Sequence, residues 1–279
     1  QSEDTTGGGG GAGATGWETL LNSLVGSGFQ ITATWPLSAA QNWRMRAMDS
    51  NALASYIVLA CRLRPADAPT AMRRDFLAAL RAELPSALRM LQHGNIAPVD
   101  LAQAAIGPGM AIYSRHGRVL EPDGEPLTVR AALRLINQVL SETLDEQEGD
   151  FDPDTRWAVT WFKEHGFETG PYGKAEELAV AKAVSVQGLV EGGILHARGG
   201  QVRLLHREEL PADWDPATDK RLSIWEATEH LVRVLQASGE SGAAELLAKL
   251  QSLPGGRAEA ARELAYLLFT VCERKGWNK

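Results

Sequence analysis

The residues best suited to chemistry in this 279-residue chain lie between Ser38 and Asn51. Asn42, Trp43, Arg44, Arg46, Asp49 and Asn51 gather side-chain amides, guanidinium groups, an indole and a carboxylate in one stretch. A guanidinium fork suits phosphate or carboxylate oxygens, because its N–H donors lie in one plane. Such a loop becomes a site only where rigid elements hold its ends. Both flanks read as strands. Phe29–Trp35 alternates apolar and polar positions and is expected to end at Pro36, which cannot donate to a ladder. Ala54–Leu63, with Tyr56, Ile57 and Val58, is a nearly continuous apolar run, the composition of a strand covered on both faces.

Elsewhere the chemistry is sparse. The six histidines are scattered, with no His-Glu-x-x-His and no Gly-x-Ser-x-Gly elbow. His165, His196, His206 and His230 read as surface or helix-end residues, and Glu226 and Glu229 beside His230 as a solvated helix face. Cys61 and Cys272 lack a neighbouring His or Cys and read as buried or half-buried thiols of a reducing cytosol. Asp150-x-Asp152-x-Asp154 fails as a calcium loop, because Thr155 and Trp161 replace its glycine and closing glutamate. Gly107 and Gly109 flank Pro108, predicting a turn that brings the backbone close to something, with Tyr113, Ser114 and Arg115 on a short strand beyond it. The residues alone give no catalytic set and no metal site.

Four regions must position these groups. Residues 1–16 read as a flexible glycine-rich loop; with no preceding strand and no lysine, they are not a phosphate cradle. Residues 17–65 read as helix, strand, loop, strand, the terminal pattern of several open α/β sheets, with Thr15 as candidate cap. Residues 66–126 read as a helix and hairpin extension. Its helix over 70–91 is kinked or divided at Pro85, and its outer face carries Arg73, Arg74, Arg81 and Arg89, a solvated face first and a DNA-phosphate face second. Residues 127–279 read as mainly helical. Thr128, Asp152 with Pro153, and Ser223 mark helix starts. Within this region 174–205 read as helix, helix and a hairpin on Gly199-Gly200, the pattern of a winged helix. Its second helix is almost without basic residues, so a structural or protein-binding wing stands level with a DNA-binding one.

A net charge of −7 argues against a protein that coats nucleic acid. No apolar run has the length of a membrane span and no signal peptide opens the chain, so a cytoplasmic location is expected. Two strands cannot make the buried sheet that their composition asks for, so their neighbours are expected upstream of Gln1, in a longer protein.

The strings Gly16-Trp-Glu-Thr-Leu20, Gly28-Phe-Gln-Ile-Thr-Ala-Thr-Trp-Pro36, Arg44-Met-Arg46 and Ser50-Asn-Ala-Leu-Ala-Ser55 resemble the end of the methyltransferase domain in a family of large bacterial and archaeal adenine-specific DNA methylases, described as anti-phage-associated and carrying an N-terminal domain of unknown function. The similarity continues through Asp100–Met110, Gln147–Asp152, Trp214–Asp219 and Glu273–Trp277. The resemblance implies an α/β fragment, the last helix and two strands of a Rossmann-like methyltransferase sheet, followed by the helical region. It implies S-adenosylmethionine as cofactor of the full-length protein, DNA as substrate and phage-defence proteins as partners. The family's Asp/Asn-Pro-Pro-aromatic motif and cofactor glycine loop do not occur here, and both are expected upstream; the fragment alone is expected to be inactive. By the resemblance Asn42, Arg44, Arg46 and Asn51 line the substrate side. Arg44 and Arg46 would face phosphate or the cofactor carboxylate, and Asn51 would hold the loop. The alternative is that Asn51 caps the start of the strand and the arginines pair with Asp49. Ser38-Ala39-Ala40 stand where the family has a basic–Thr–Glu triplet, a departure that puts loop order in question.

Overall fold

The computed structural model of the chain describes residues 11–38, 55–94, 96 and 98–277. They form a mixed α/β protein, mainly helical with small sheets. It divides into two compact units, Gln1–Thr143 and Leu144–Lys279.

The first unit opens with α1 (Gly11–Gly26). The loop expected over 1–16 therefore gives way to helix at residue 11. Glycine costs a helix about 1 kcal/mol relative to alanine without forbidding it, and Ala12 and Ala14 favour it. Gly28, with φ of 81°, turns the chain into β1 (Phe29–Ser38). β1 pairs antiparallel with β2 (Ser55–Leu63), from Phe29 opposite Leu63 to Ser38 opposite Ser55, with an irregularity between Ile31 and Ala33. β1 runs past Pro36, contrary to expectation. Among the described residues β1 has a strand partner on one side only, so the missing N–H costs no ladder bond on the other. Nor is β2 covered on both faces among the described residues. Val58 is 43% and Leu63 72% exposed, and Cys61, expected to be buried or half-buried, is exposed too.

β3 (Thr70–Met72) pairs in parallel with β4 (Arg118–Leu120), so the partner expected from a local hairpin is replaced by a distant strand. The predicted turn is still present: Glu121 N–H donates to Glu125 O, and Leu120 bridges Pro126. α2 (Arg73–His93) is one helix with Pro85 inside it, burying Phe76, Leu80, Leu84 and Leu88. α3 (Pro98–Ser114) absorbs the Gly-Pro-Gly segment and the strand predicted after it. α4 (Val129–Gln147) follows Thr128, whose Oγ1 accepts from Ala131 N at 3.2 Å, and buries Ala132, Leu135, Ile136, Val139 and Leu140.

In the second unit, which takes in the last turn of α4, α5 (Pro153–His165) is capped by Asp152 Oδ1, which accepts from Thr155 N at 2.9 Å. Its aromatic stripe is core: Trp157, Trp161 and Phe162 are buried. Next come β5 (Gly170–Pro171), α6 (Tyr172–Ala181), α7 (Val186–Glu191), β6 (Leu195–Arg198) and β7 (Gln201–Leu204). The strands form an antiparallel sheet in the order β5-β7-β6. Gly199 and Gly200 both have positive φ, 62° and 77°, as the tightest hairpin turn demands.

Ala183, between α6 and α7, holds φ of 58°. A β-carbon in the left-handed region costs roughly 1–2 kcal/mol. Ala183→Gly is therefore expected to raise stability by about 1 kcal/mol, less the entropy glycine adds to the unfolded chain, read as a higher urea midpoint at unchanged slope.

α8 (Ile224–Ser252) begins at Ser223, whose Oγ accepts from Glu226 N at 3.1 Å. It breaks at Gly239, where φ is 68° and ψ −166°, so the helix expected near 241 is its second half. α9 (Arg257–Lys275) closes the unit. Among the described residues no helix is long and apolar enough to cross a membrane.

Candidate functional site

Asn42, Arg44, Arg46 and Asn51 lie outside the described residues. In sequence they fall between the carboxyl end of β1 and the start of β2.

Gly107 and Gly109 keep the close backbone approach expected of them, but inside α3 rather than at a turn. A β-carbon on Gly107 would lie 2.0 Å from Thr34 Cγ2, and one on Gly109 2.6 Å from Ile136 Cγ1. Small residues let α3 pass tightly between β1 and α4. At its end Ser114 Oγ accepts from Ile31 N at 2.9 Å, satisfying a backbone donor of β1. The α2 arginines are engaged. Arg73 faces Glu121 at 3.6 Å, Arg74 faces Asp75 at 3.4 Å, and Arg81 grips Glu142 at 3.0 and 3.3 Å. These pairs are exposed to solvent, and such pairs stabilise little.

The densest polar chemistry is in the second unit, where sequence reasoning saw a solvated face. Residues 224–230, the first two turns of α8, are buried without a break. Glu229 is 2% exposed, and its Oε2 meets Arg207 Nε at 2.7 Å. Arg207 also lies over the Phe167 ring, 5.9 Å from its centroid. Burial pushes the Glu229 carboxyl up and Arg207 opposes it. His230 is fully buried, with neither ring nitrogen hydrogen-bonded, and stacks on Trp214 at 3.9 Å and 6°. Burial, then the charge of Arg233, holds it down at about 4, so it is neutral at physiological pH.

Glu226 is 4% exposed and sits against Asp219. Burial first, then the Asp219 charge, pushes Glu226 up to about 8. Burial raises Asp219 too, but the Arg221 N–H, the Trp214 indole and Glu226 together hold it below the usual carboxylate range. The pair therefore shares one proton at neutral pH. Beside it, Arg221 binds Asp154 through two bonds of 2.8 and 3.0 Å. Asp152, Asp154, Asp219, Lys220, Arg221 and Arg257 line an adjoining cavity of about 530 Å³. With both charge signs on its wall, it selects no single ligand class. No group of three or more His, Cys, Asp or Glu side chains among the described residues could hold a metal.

The burial of Glu226 and His230 was missed because their spacing fits an amphipathic stripe. The available signal was Trp214-Asp-Pro-Ala-Thr-Asp219, an aromatic and acidic segment able to cover that helix start.

A family model described as a domain of unknown function (DUF8807) matches residues 152–279, so the buried network lies within the matched stretch. No curated protein and no solved structure matches the chain.

Proposed function

We propose that the chain is the C-terminal portion of an S-adenosylmethionine-dependent adenine-specific DNA methyltransferase of a phage-defence system, with the reacting groups upstream. The observation carrying this reading is the unfinished sheet. α1 leads into an antiparallel strand pair in which α3 packs beside β1, with Ser114 bonded to its Ile31 amide. The other edge of β2 has no strand partner among the described residues and bears exposed Val58 and Leu63. Further strands beside β2 would bury those side chains. In an open α/β sheet, ligands bind beyond the carboxyl ends of the strands. Asn42, Arg44, Arg46 and Asn51 follow such an end in sequence and would form one wall of the site.

The residues here do not fit the cofactor by themselves. The sequence has no Pro-Pro pair and no glycine loop between a strand and a helix. The full-length enzyme would act on an adenine flipped out of the stack, and no step of that reaction is assigned to residues of this chain. Full-length protein with tritiated S-adenosylmethionine and DNA is expected to place label on the adenine amino group. Residues 1–279 are expected to give no calorimetric binding of the cofactor. Tight binding by residues 1–279, or a full-length chain without the Pro-Pro motif, overturns the reading.

A second reading, a non-catalytic docking module, has its own support. The order α5, β5, α6, α7, β6, β7 with sheet order β5-β7-β6 supports reading this segment as a winged helix. Helix α7, Val186-Gln-Gly-Leu-Val-Glu191, has no basic residue, which favours a protein partner over DNA. A gel-shift series against salt is expected to show no retention by residues 1–279. Retention with a steep salt slope, lost when 174–205 are removed, would reassign the wing to DNA.

A further inference from the structure

Residues 213–222 form a strap against the start of α8. Trp214 and Leu222 pack on the core made by Ala227, Leu250 and Ala258. The Trp214 indole lies flat on His230 and donates through Nε1 to Asp219 Oδ2 at 2.8 Å. Asp219 Oδ1 accepts from Arg221 N at 2.7 Å. Arg257 Nη1 donates to Leu222 O at 2.7 Å, tying down the far end. In the middle, Asp219 sits against Glu226 while Trp214 rests on His230.

Glu226 Oε2 is buried with no N–H or O–H donor in reach, and a β-carbon added at Gly193 would lie 2.8 Å from Oε1. We propose that residues 213–222 are a proton-gated strap: a proton on Glu226 makes its carboxyl donate to Asp219, and loss of that proton releases Trp214 from His230. This inference is independent of the methyltransferase reading.

The charges around the pair leave no other way to satisfy it. On α8 itself, Glu229 is taken by Arg207, Arg233 donates to Leu210 O, and His230, which also faces Asp219, is held down at about 4 and is neutral where Glu226 titrates. From the strap, Arg221 is held by Asp154 of α5, and Asp215 faces Lys249 at 3.9 Å. Asp152 of the α5 cap accepts from Ile224 N. From α9, Cys272 lies near Arg207 and Glu229. The turn into β6 presents Gly193, without charge. A buried carboxylate against a half-buried one repels it when both are ionised, so loss of the Glu226 proton sets charge against charge under the strap.

The direction follows from linkage. Glu226 titrates above its ordinary 4.5, at about 8, so strap closure is complete below 4.5 and is lost as pH rises through about 8. Fluorine NMR of the full 279-residue chain carrying 5-fluorotryptophan, with the Trp214 signal assigned by Trp214→Phe, reads the event. The signal is expected to move from a stacked to a solvent-exposed position with a midpoint near pH 8, while helical circular dichroism stays unchanged. In Glu226→Gln, whose amide donates to Asp219 at every pH, it is expected to stay in the stacked position to pH 9.5. Infrared spectra of the unaltered chain at pH 6.5 provide a reading free of mutation and are expected to show a protonated buried carboxyl. A Trp214 signal indifferent to pH, a transition that coincides with global unfolding, an unchanged midpoint in Glu226→Gln, or no protonated carboxyl at pH 6.5 each overturns the proposal.

Discussion

Gly107→Ala is expected to destabilise the first unit by about 3 kcal/mol or more, the upper end of the overpacking range. The added β-carbon would meet Thr34 Cγ2, Oγ1 and Cβ at 2.0, 2.1 and 2.5 Å. Rotating the threonine cannot clear the overlap, because its Cβ is fixed to the backbone of β1. Either α3 backs away, opening the contact that Ser114 makes to Ile31, or the strand pair shifts. The measurement is the urea midpoint of the variant, with Thr34→Gly as partner. The double variant removes every clashing atom and is expected to recover most of the loss, a coupling of a few kcal/mol between two residues in contact. A Gly107→Ala chain as stable as the parent would show that α3 does not pack on β1 in this way. Gly109→Ala is expected to cost less, since the atoms it meets belong to the Ile136 side chain, which can change rotamer.

Arg207→Ala is the second large expected effect, about 3–5 kcal/mol at neutral pH. Removing one partner of a buried ion pair strands the other charge. Here the stranded group is Glu229, 2% exposed. The pH dependence identifies the mechanism. Burial already pushes Glu229 up, and loss of Arg207 removes the group opposing that shift. A carboxyl raised in the folded state contributes stability that is present below its unfolded pKa and lost as pH rises. The defect of Arg207→Ala should therefore shrink on acidification and grow on the alkaline side. Arg207→Met with Glu229→Leu deletes both charges and is expected to recover most of the stability. A defect of equal size at pH 5 and pH 8 would assign it to the lost packing of Arg207 on Phe167 instead.

Local signals carried the reading of the fold where the cause is local. Asp152 with Pro153, Ser223, Thr128 and the Gly199-Gly200 hairpin announce elements through bonds to their own neighbours in sequence, and each is present as expected. That β1 and β2 are strands followed from alternation and composition. The failures come from long-range packing. Gly107-Pro108-Gly109 has the chemistry of a turn, yet α3 runs through it because β1 and α4 require a backbone without side chains there. Glu226 and His230 sit at spacings that fit an exposed stripe, but all seven residues from Ile224 to His230 are buried. Periodicity reports one apolar face and is blind to a helix end enclosed on every side.

The strand pair of the first unit has unequal edges. β1 contains Pro36, and its Ile31 amide is occupied by Ser114, two features that discourage further strand addition. β2 has neither. Its sequence, Ser-Tyr-Ile-Val-Leu-Ala-Cys-Arg-Leu, carries no proline and a single charge, at Arg62. High β-propensity, low charge and an open edge are the ingredients of aggregation. Among the described residues this edge has Arg62 as its one charged gatekeeper against self-association, and a lysine at Val58 or Leu63 would supply a second.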